Sequence, residues 1–202
     1  MSPNPRNPDA MRIVFLQDDG INESLALTES SACLQRAGHR TRLLIERNER
    51  RFFRKLVDED PRAVIIPADI GGEEWALDTC ERARDATGLE PVLCGTAATF
   101  RPDSLLEDGR ARVLIRGEAE GAFLDLAESD VDREGVSVLE EIDNFSIRTP
   151  EGEIRHNRMR PLFKDLDLLP LPDRDIYFRY GYLSALSMKR VSSGRGCANH
   201  CS

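Results

Sequence analysis

Along the first 128 residues, short apolar runs alternate with amphipathic stretches. The runs are residues 11–16, 41–45, 63–66, 91–94 and 113–116, rich in Val, Ile and Leu and each closed by a polar or glycine-bearing loop. Runs of this length and composition read as buried strands. Between them, apolar side chains recur at three- and four-residue steps. Ala26, Leu27, Cys33, Leu34 and Ala37 mark one helix. Phe52, Phe53, Leu56 and Val57 mark a second, and Trp75, Ala76, Cys80, Ala83 and Ala86 a third. A short helix fits 103–107, and a last one carries Phe123, Leu124 and Ala127. Gly38, Asp60-Pro61 and Gly88 stop the first three. Near-continuous apolar strands separated by helices require a parallel sheet covered on both faces, with right-handed crossovers. The expected fold is α/β: a flavodoxin-like (Rossmann-like) five-stranded parallel sheet in the order 2-1-3-4-5.

Ligands on such a sheet bind at the carboxyl ends of the strands. The loops there are residues 17–23, 67–72, 95–99 and 117–120, all rich in Gly and small or polar residues. They nominate Asp18, Asp19, Gly20, Asn22, Asp69, Gly71, Gly72, Gly95, Thr96, Gly117 and Glu118 as ligand-binding residues. Glycine in any one of these loops also serves simply to turn the chain. Asp18 and Asp19 suit either a polar ligand or a helix cap. Glu118 and Glu120 precede a helix and favour its positive end, so capping is their expected role. Trp75 reads as a packed aromatic, His39 as a surface residue, and the charge-rich run 47–55 as a solvated helix face. Cys33, Cys80 and Cys94 read as small buried apolar residues.

The charge balance narrows the partners. With 28 basic and 36 acidic side chains among 202 residues, the formal charge is −8 and no basic cluster stands out, which argues against a nucleic-acid partner. No apolar run reaches the roughly 18–20 residues of a membrane span. Residues 1–10 lack the apolar core of a signal peptide and read as a disordered lead-in. Five cysteines is an odd number in a chain this long, so a disulfide framework is not expected and a cytoplasmic setting is.

Beyond the alternating domain (residues 11–128) the pattern changes. In the segment 129–185, residues 145–148 and 153–156 flank a Pro- and Gly-containing turn and read as a hairpin. Three prolines keep residues 161–175 extended, a strap expected to pack its leucines along a domain. Residues 186–191 read as a new strand, opening a further domain (186–202).

After that strand come Cys197 and Cys201, three residues apart. Closely spaced thiolates suit metal or iron–sulfur ligation. Zinc with His200 as a further ligand, or two unremarkable thiols, are the other readings of that pair. The string Arg-Val-Ser-Ser-Gly-Arg-Gly-Cys-Ala-Asn-His-Cys-Ser (190–202) resembles the start of the barrel of radical S-adenosylmethionine (SAM) enzymes, whose motif is C-x3-C-x2-C after the first barrel strand. On that resemblance the third cysteine falls two residues beyond Ser202, and the chain reads as the front part of a longer enzyme. Residues 37–44, 93–102, 114–120 and the strap are similar to the cobalamin-binding domain that precedes the (β/α) barrel in such enzymes.

The resemblance implies that Cys197 and Cys201 are two of three ligands to a [4Fe–4S] cluster, whose fourth iron binds S-adenosylmethionine. It implies that the sheet-edge loops cradle cobalamin. It further implies radical chemistry, such as methyl transfer, on a small-molecule or peptide substrate, with an electron donor such as flavodoxin or ferredoxin. The 202 residues alone are expected to bind cobalamin at most and to catalyse nothing. The sequence departs from the pattern in two places. Residues 17–23 hold no His where cobalt-ligating domains carry D-x-H-x-x-G, and the double Gly after the fourth strand is reduced to Gly95. A docking domain that no longer binds cobalamin is therefore one alternative. A phosphorylated receiver domain, using Asp18, Asp19, Asp69 and Thr96, is another, but Arg116 stands where a receiver has Lys.

Overall fold

The structure is a computed structural model that describes residues 10–20, 23–129, 131, 135–181, 185, 191–192 and 194–196. The strands are β1 (Arg12–Gln17), β2 (Arg40–Ile45), β3 (Ala63–Pro67), β4 (Val92–Cys94), β5 (Val113–Ile115), β6 (Phe145–Arg148) and β7 (Ile154–His156). The helices are α1 (Leu25–Arg36), α2 (Phe52–Asp58), α3 (Glu73–Thr87), α4 (Thr96–Phe100), α5 (Pro102–Asp108), α6 (Glu120–Glu128) and α7 (Asp175–Phe178). Strand order is β2-β1-β3-β4-β5-β6-β7, and β1 to β5 are parallel in the order the sequence predicts.

Each strand splits its side chains between two cores. Ile13, Phe15, Ile65, Val113 and Ile115 face α1, α6 and α7, with Phe123 packed edge-on to Phe15. Val14, Leu16, Val64, Ile66 and Leu93 face the side covered by α2, α3, α4 and α5. Full burial on both faces explains why the strands read as continuous apolar runs. Cys33, Cys80 and Cys94 are buried, as expected, and burial pushes the Cys80 and Cys94 thiols up to about 12.

Four expectations are corrected. The hairpin extends the sheet rather than standing apart: Val113 pairs with Ile147, Leu114 with Ser146 and Ile115 with Phe145, all antiparallel. Without β6, the backbone of β5 would be an open edge. The loop at 95–98 turns directly into α4. The strap leaves Leu162, Leu168 and Leu171 exposed, with Leu166 and Leu169 half-buried, and the fully packed side chains are Ile176 and Tyr177 of α7, just beyond it. Tyr177 donates from its hydroxyl to Gln17 Oε1 (2.5 Å) and accepts from Ser24 N (3.0 Å), while Asp173 N donates to Thr28 O on α1 (2.9 Å). Finally, the run 47–55 is solvated as expected at Arg47, Asn48, Arg50, Arg51, Arg54 and Lys55, but it is not one helix face, since α2 begins only at Phe52, and it is not solvated at Glu49. Arg47 pairs with Asp18, and Glu49, 4% exposed, meets Arg179 and the Tyr180 hydroxyl.

His39 is a fifth correction, since it is buried between α1 and β2. Its Nδ1 accepts from Met11 N at 3.2 Å, so that nitrogen keeps its lone pair in the fold. Burial lowers its pKa below the usual 6.5, against the pull of Glu128. The unfolded chain therefore binds this proton more readily than the folded one, and stability falls as pH drops below about 6.5. Thermal melts at several values down to about pH 5 are expected to show a shallower decline in His39→Gln than in the parent. Equal slopes would remove His39 as the cause.

Candidate functional site at the carboxyl edge of the sheet

The loops after β3 and β4 are tied together. Thr96 donates from its hydroxyl (2.9 Å) and its amide (3.1 Å) to Asp69 Oδ1, and its hydroxyl accepts from Ile70 N (3.1 Å). Gly95 makes this approach possible: its φ is +102°, and a Cβ there would lie 2.9 Å from Asp69 Oδ1 and 3.0 Å from Ala68 O. Beside the pair, Gly71 has open space where a side chain would project, and its amide donates to Glu73 Oε2 (2.6 Å). Gly72 follows it as the cap of α3. Two apolar side chains face solvent nearby: Ile70 is 55% exposed, and Phe100, at the end of α4, is 74% exposed. Arg101, next to Phe100, reaches back to Glu73. Trp75 packs on the core as expected and donates from Nε1 to Glu46 Oε2 (2.7 Å).

The aspartates of the loop after β1 are engaged by an arginine that follows β2. Arg47 donates from Nε to Asp18 Oδ1 (3.2 Å) and lies 3.8 Å from Asp19 Oδ2. Gly20 is buried, and Asn22 lies outside the described residues. Glu23, which sequence reading passed over, is buried, with no hydrogen-bond partner for its carboxylate oxygens among the described residues; Arg174 lies 3.6 Å away.

The loop after β5 is held by Asn144, which adopts a positive φ of 76° and is buried. Its Nδ2 donates to Arg116 O (2.7 Å) and Glu118 O (3.0 Å), and its Oδ1 accepts from Arg160 N (2.8 Å). Gly117 N donates to the Thr99 hydroxyl (2.9 Å), joining this loop to α4. Glu118 and Glu120 do not cap α6. Both pair with Arg195, and Glu118 Oε2 also accepts from Phe163 N (2.8 Å). A local capping rule finds no partner 75 residues away. A cavity of about 440 Å³ opens here, lined by Glu118, Gly121, Asn144, Arg160, Pro161 and Phe163.

The structure thus gathers Asp69, Gly71, Gly72, Gly95 and Thr96 into one group and Gly117 and Glu118 into a second, while Asp18 and Asp19 are engaged by Arg47. Cys197 and Cys201 lie outside the described residues. Among the described residues, no three His, Cys, Asp or Glu side chains are grouped to hold a metal. One arrangement resembles a hydrolytic relay: His156 joins Ser146 through Nδ1 and Asp103 through Nε2, each at 2.8 Å. Ser146 is fully buried, so no substrate reaches its hydroxyl, and the chain of bonds pins α5 to the hairpin. The receiver arrangement fares poorly too. Arg47 occupies the acid pair, and the Arg116 guanidinium donates to Asn157 O (2.6 Å).

No protein-family model and no curated protein matches the sequence. Solved structures do. OxsB, a cobalamin-dependent S-adenosylmethionine radical enzyme with aqua-cobalamin and S-adenosylmethionine bound, aligns with a TM-score of 0.68 at 17% identity, over 86% of this chain and 25% of its own. TsrM from Kitasatospora setae, a radical S-adenosylmethionine methyltransferase with cobalamin and a [4Fe-4S] cluster bound, aligns with a TM-score of 0.61 at 14% identity, over 81% of this chain and 31% of its own. The chain has the fold of a part of these enzymes. It spans about a quarter of OxsB and under a third of TsrM. Among the described residues, no helix is long and apolar enough to cross a membrane.

Proposed function

We propose that this chain is the cobalamin-binding front part of a radical S-adenosylmethionine enzyme. The observation that carries the reading is the open carboxyl edge, on a fold shared with structures that hold cobalamin. Gly71 leaves room for a flat ligand, and Ile70 and Phe100 offer exposed apolar surface to it. Asp69 and Thr96 fix the loop that presents Ile70. On the β5 side, Gly117 and Glu118 frame the edge, with Asp18, Asp19 and Gly20 at the β1 end; Asn22, outside the described residues, is assigned to the same loop from the sequence. Neither described histidine lies in these loops: His39 precedes β2 at the opposite edge, and His156 is engaged on β7. Among the described residues, the corrin would therefore be held by packing and hydrogen bonds.

In this reading Cys197 and Cys201 provide two thiolates of a three-cysteine [4Fe–4S] site. Cobalamin would supply the methyl group, and the cluster with S-adenosylmethionine the radical. The chain's own residues hold the first cofactor at the sheet edge and shield one face of it from water. Methyl transfer to a small-molecule or peptide substrate, an electron donor of the flavodoxin or ferredoxin type, and a cytoplasmic setting belong to the same proposal.

Equilibrium dialysis of the 202-residue protein against hydroxocobalamin, read by its visible absorbance, tests the binding step. Retention of about one equivalent is the expected result. No retention at concentrations that saturate a cobalamin protein favours the docking-domain alternative.

A further inference from the structure

Arg195 lies two residues before Cys197 in the sequence, and the described residues around it, 191–192 and 194–196, are in neither helix nor strand. Its backbone neighbours are exposed, yet its side chain is only 24% exposed, sunk into a seat of three carboxylates from three places in the fold. Nη2 donates to Glu29 Oε2 on α1 (2.5 Å) and to Glu120 at the start of α6, and Nη1 lies 3.1 Å from Glu118 Oε1 in the loop after β5. The Phe163 ring approaches the guanidinium, its centroid 6.0 Å away.

The seat is built for a cation. Glu120 stands in the first turn of α6, where the helix dipole favours negative charge, Glu118 precedes that helix, and Glu29 reaches the same point from the second turn of α1. Three acids brought this close repel one another unless a cation sits among them. Glu120, its side chain 5% exposed, is the least able to turn to water, and its Oε2 has no hydrogen-bond partner among the described residues. A guanidinium, with five donors in a plane, suits several carboxylates at once better than an ammonium does.

We propose that Arg195 is a positioning residue that fastens the glycine–cysteine run to the carboxyl edge of the sheet. The side chain crosses from residues 194–196 to the loop after β5, the start of α6 and the second turn of α1. It thereby holds residues 194–196, which Cys197 follows in the sequence, against that edge. The fastening itself is a contact within the chain. Its role in setting the separation of two cofactors rests on the reading above.

Trypsin reads the contact directly, because cleavage after Arg195 requires its guanidinium to leave the carboxylates and enter the protease. The 202-residue protein is digested briefly under native conditions. The yield of the cut after Arg195 is compared by mass with that after Arg190 in the same segment. Loosening of the whole fold raises both cuts together, whereas loss of the seat raises their ratio. Removing the charges with Glu29→Gln/Glu118→Gln is expected to raise the ratio at least about tenfold, the scale of one charge-assisted hydrogen bond. An equal ratio in parent and variant overturns the proposal. Should the double variant melt globally, Glu29→Gln alone gives the same readout, and an unchanged ratio there also overturns it. Hydroxocobalamin is absent throughout. Failure of the dialysis leaves this result standing, and failure here leaves the cobalamin reading standing.

Discussion

Ile70→Asp is expected to weaken hydroxocobalamin binding by about ten- to a hundredfold while leaving the thermal melt unchanged. Ile70 is 55% exposed, so the fold gains little from it. If a corrin covers it, burying such a side chain is worth about 1.5–3 kcal/mol, and an aspartate there adds the cost of desolvating a charge. Leu171→Asp is the control. Leu171 is 90% exposed on the strap, away from the loops after β3 and β4, and its replacement should leave affinity as it was. Equal losses from both variants would mean that surface charge, not contact, governs binding. No loss from Ile70→Asp would move the corrin off this edge. Thr96→Val should follow Ile70→Asp more weakly, since it removes the hydroxyl between Asp69 and Ile70 N but no contact surface.

The second large effect concerns the fold around the site. Asn144→Ala should lower stability by about 2–4 kcal/mol, with a fall in melting temperature of roughly 5–12 °C for a chain of this length. Three hydrogen bonds leave with the side chain, two that it donates to carbonyls of the β5 loop and one that it accepts from Arg160 N. The residue's φ of 76° is also better tolerated by Asn than by Ala. Asn144→Gly separates the two causes: it relieves the backbone but not the bonds, and should recover a part of the loss. An unfolding free energy from denaturant titration within about 0.5 kcal/mol of the parent in Asn144→Ala would show that water replaces the amide without cost.

How legible was this in the sequence? β1 to β5 were plain because each is buried on both faces, and a run such as Ile13-Val-Phe-Leu16 has no other stable home. The hairpin was visible as a hairpin, but Phe145-Ser-Ile147 says nothing about which strand it joins. That depends on β5 having an unpaired edge. His39 was misread because its partner is the amide of Met11, 28 residues earlier. In the strap, leucines promised burial, yet Tyr177 has a hydroxyl that Gln17 and Ser24 can use, and it took the inner position. The same limit runs through the candidate site. The glycine loops follow from topology, which sequence periodicity reveals. Arg47 on Asp18, Asn144 on the β5 loop and Arg195 on its three acids are long-range charge and amide contacts that leave no periodic trace.

The bond between Gln17 and Tyr177 joins residues 160 positions apart. During synthesis, Gln17 can donate to Asp19 O as soon as both have emerged, but the Tyr177 hydroxyl reaches it only when nearly the whole described chain has been made. Closing so long a loop is slow, and the nascent sheet carries an unfilled notch on its α1 side in the meantime. Translation past α7, rather than past the fifth strand, is the point at which this chain can first become protease-resistant as a unit.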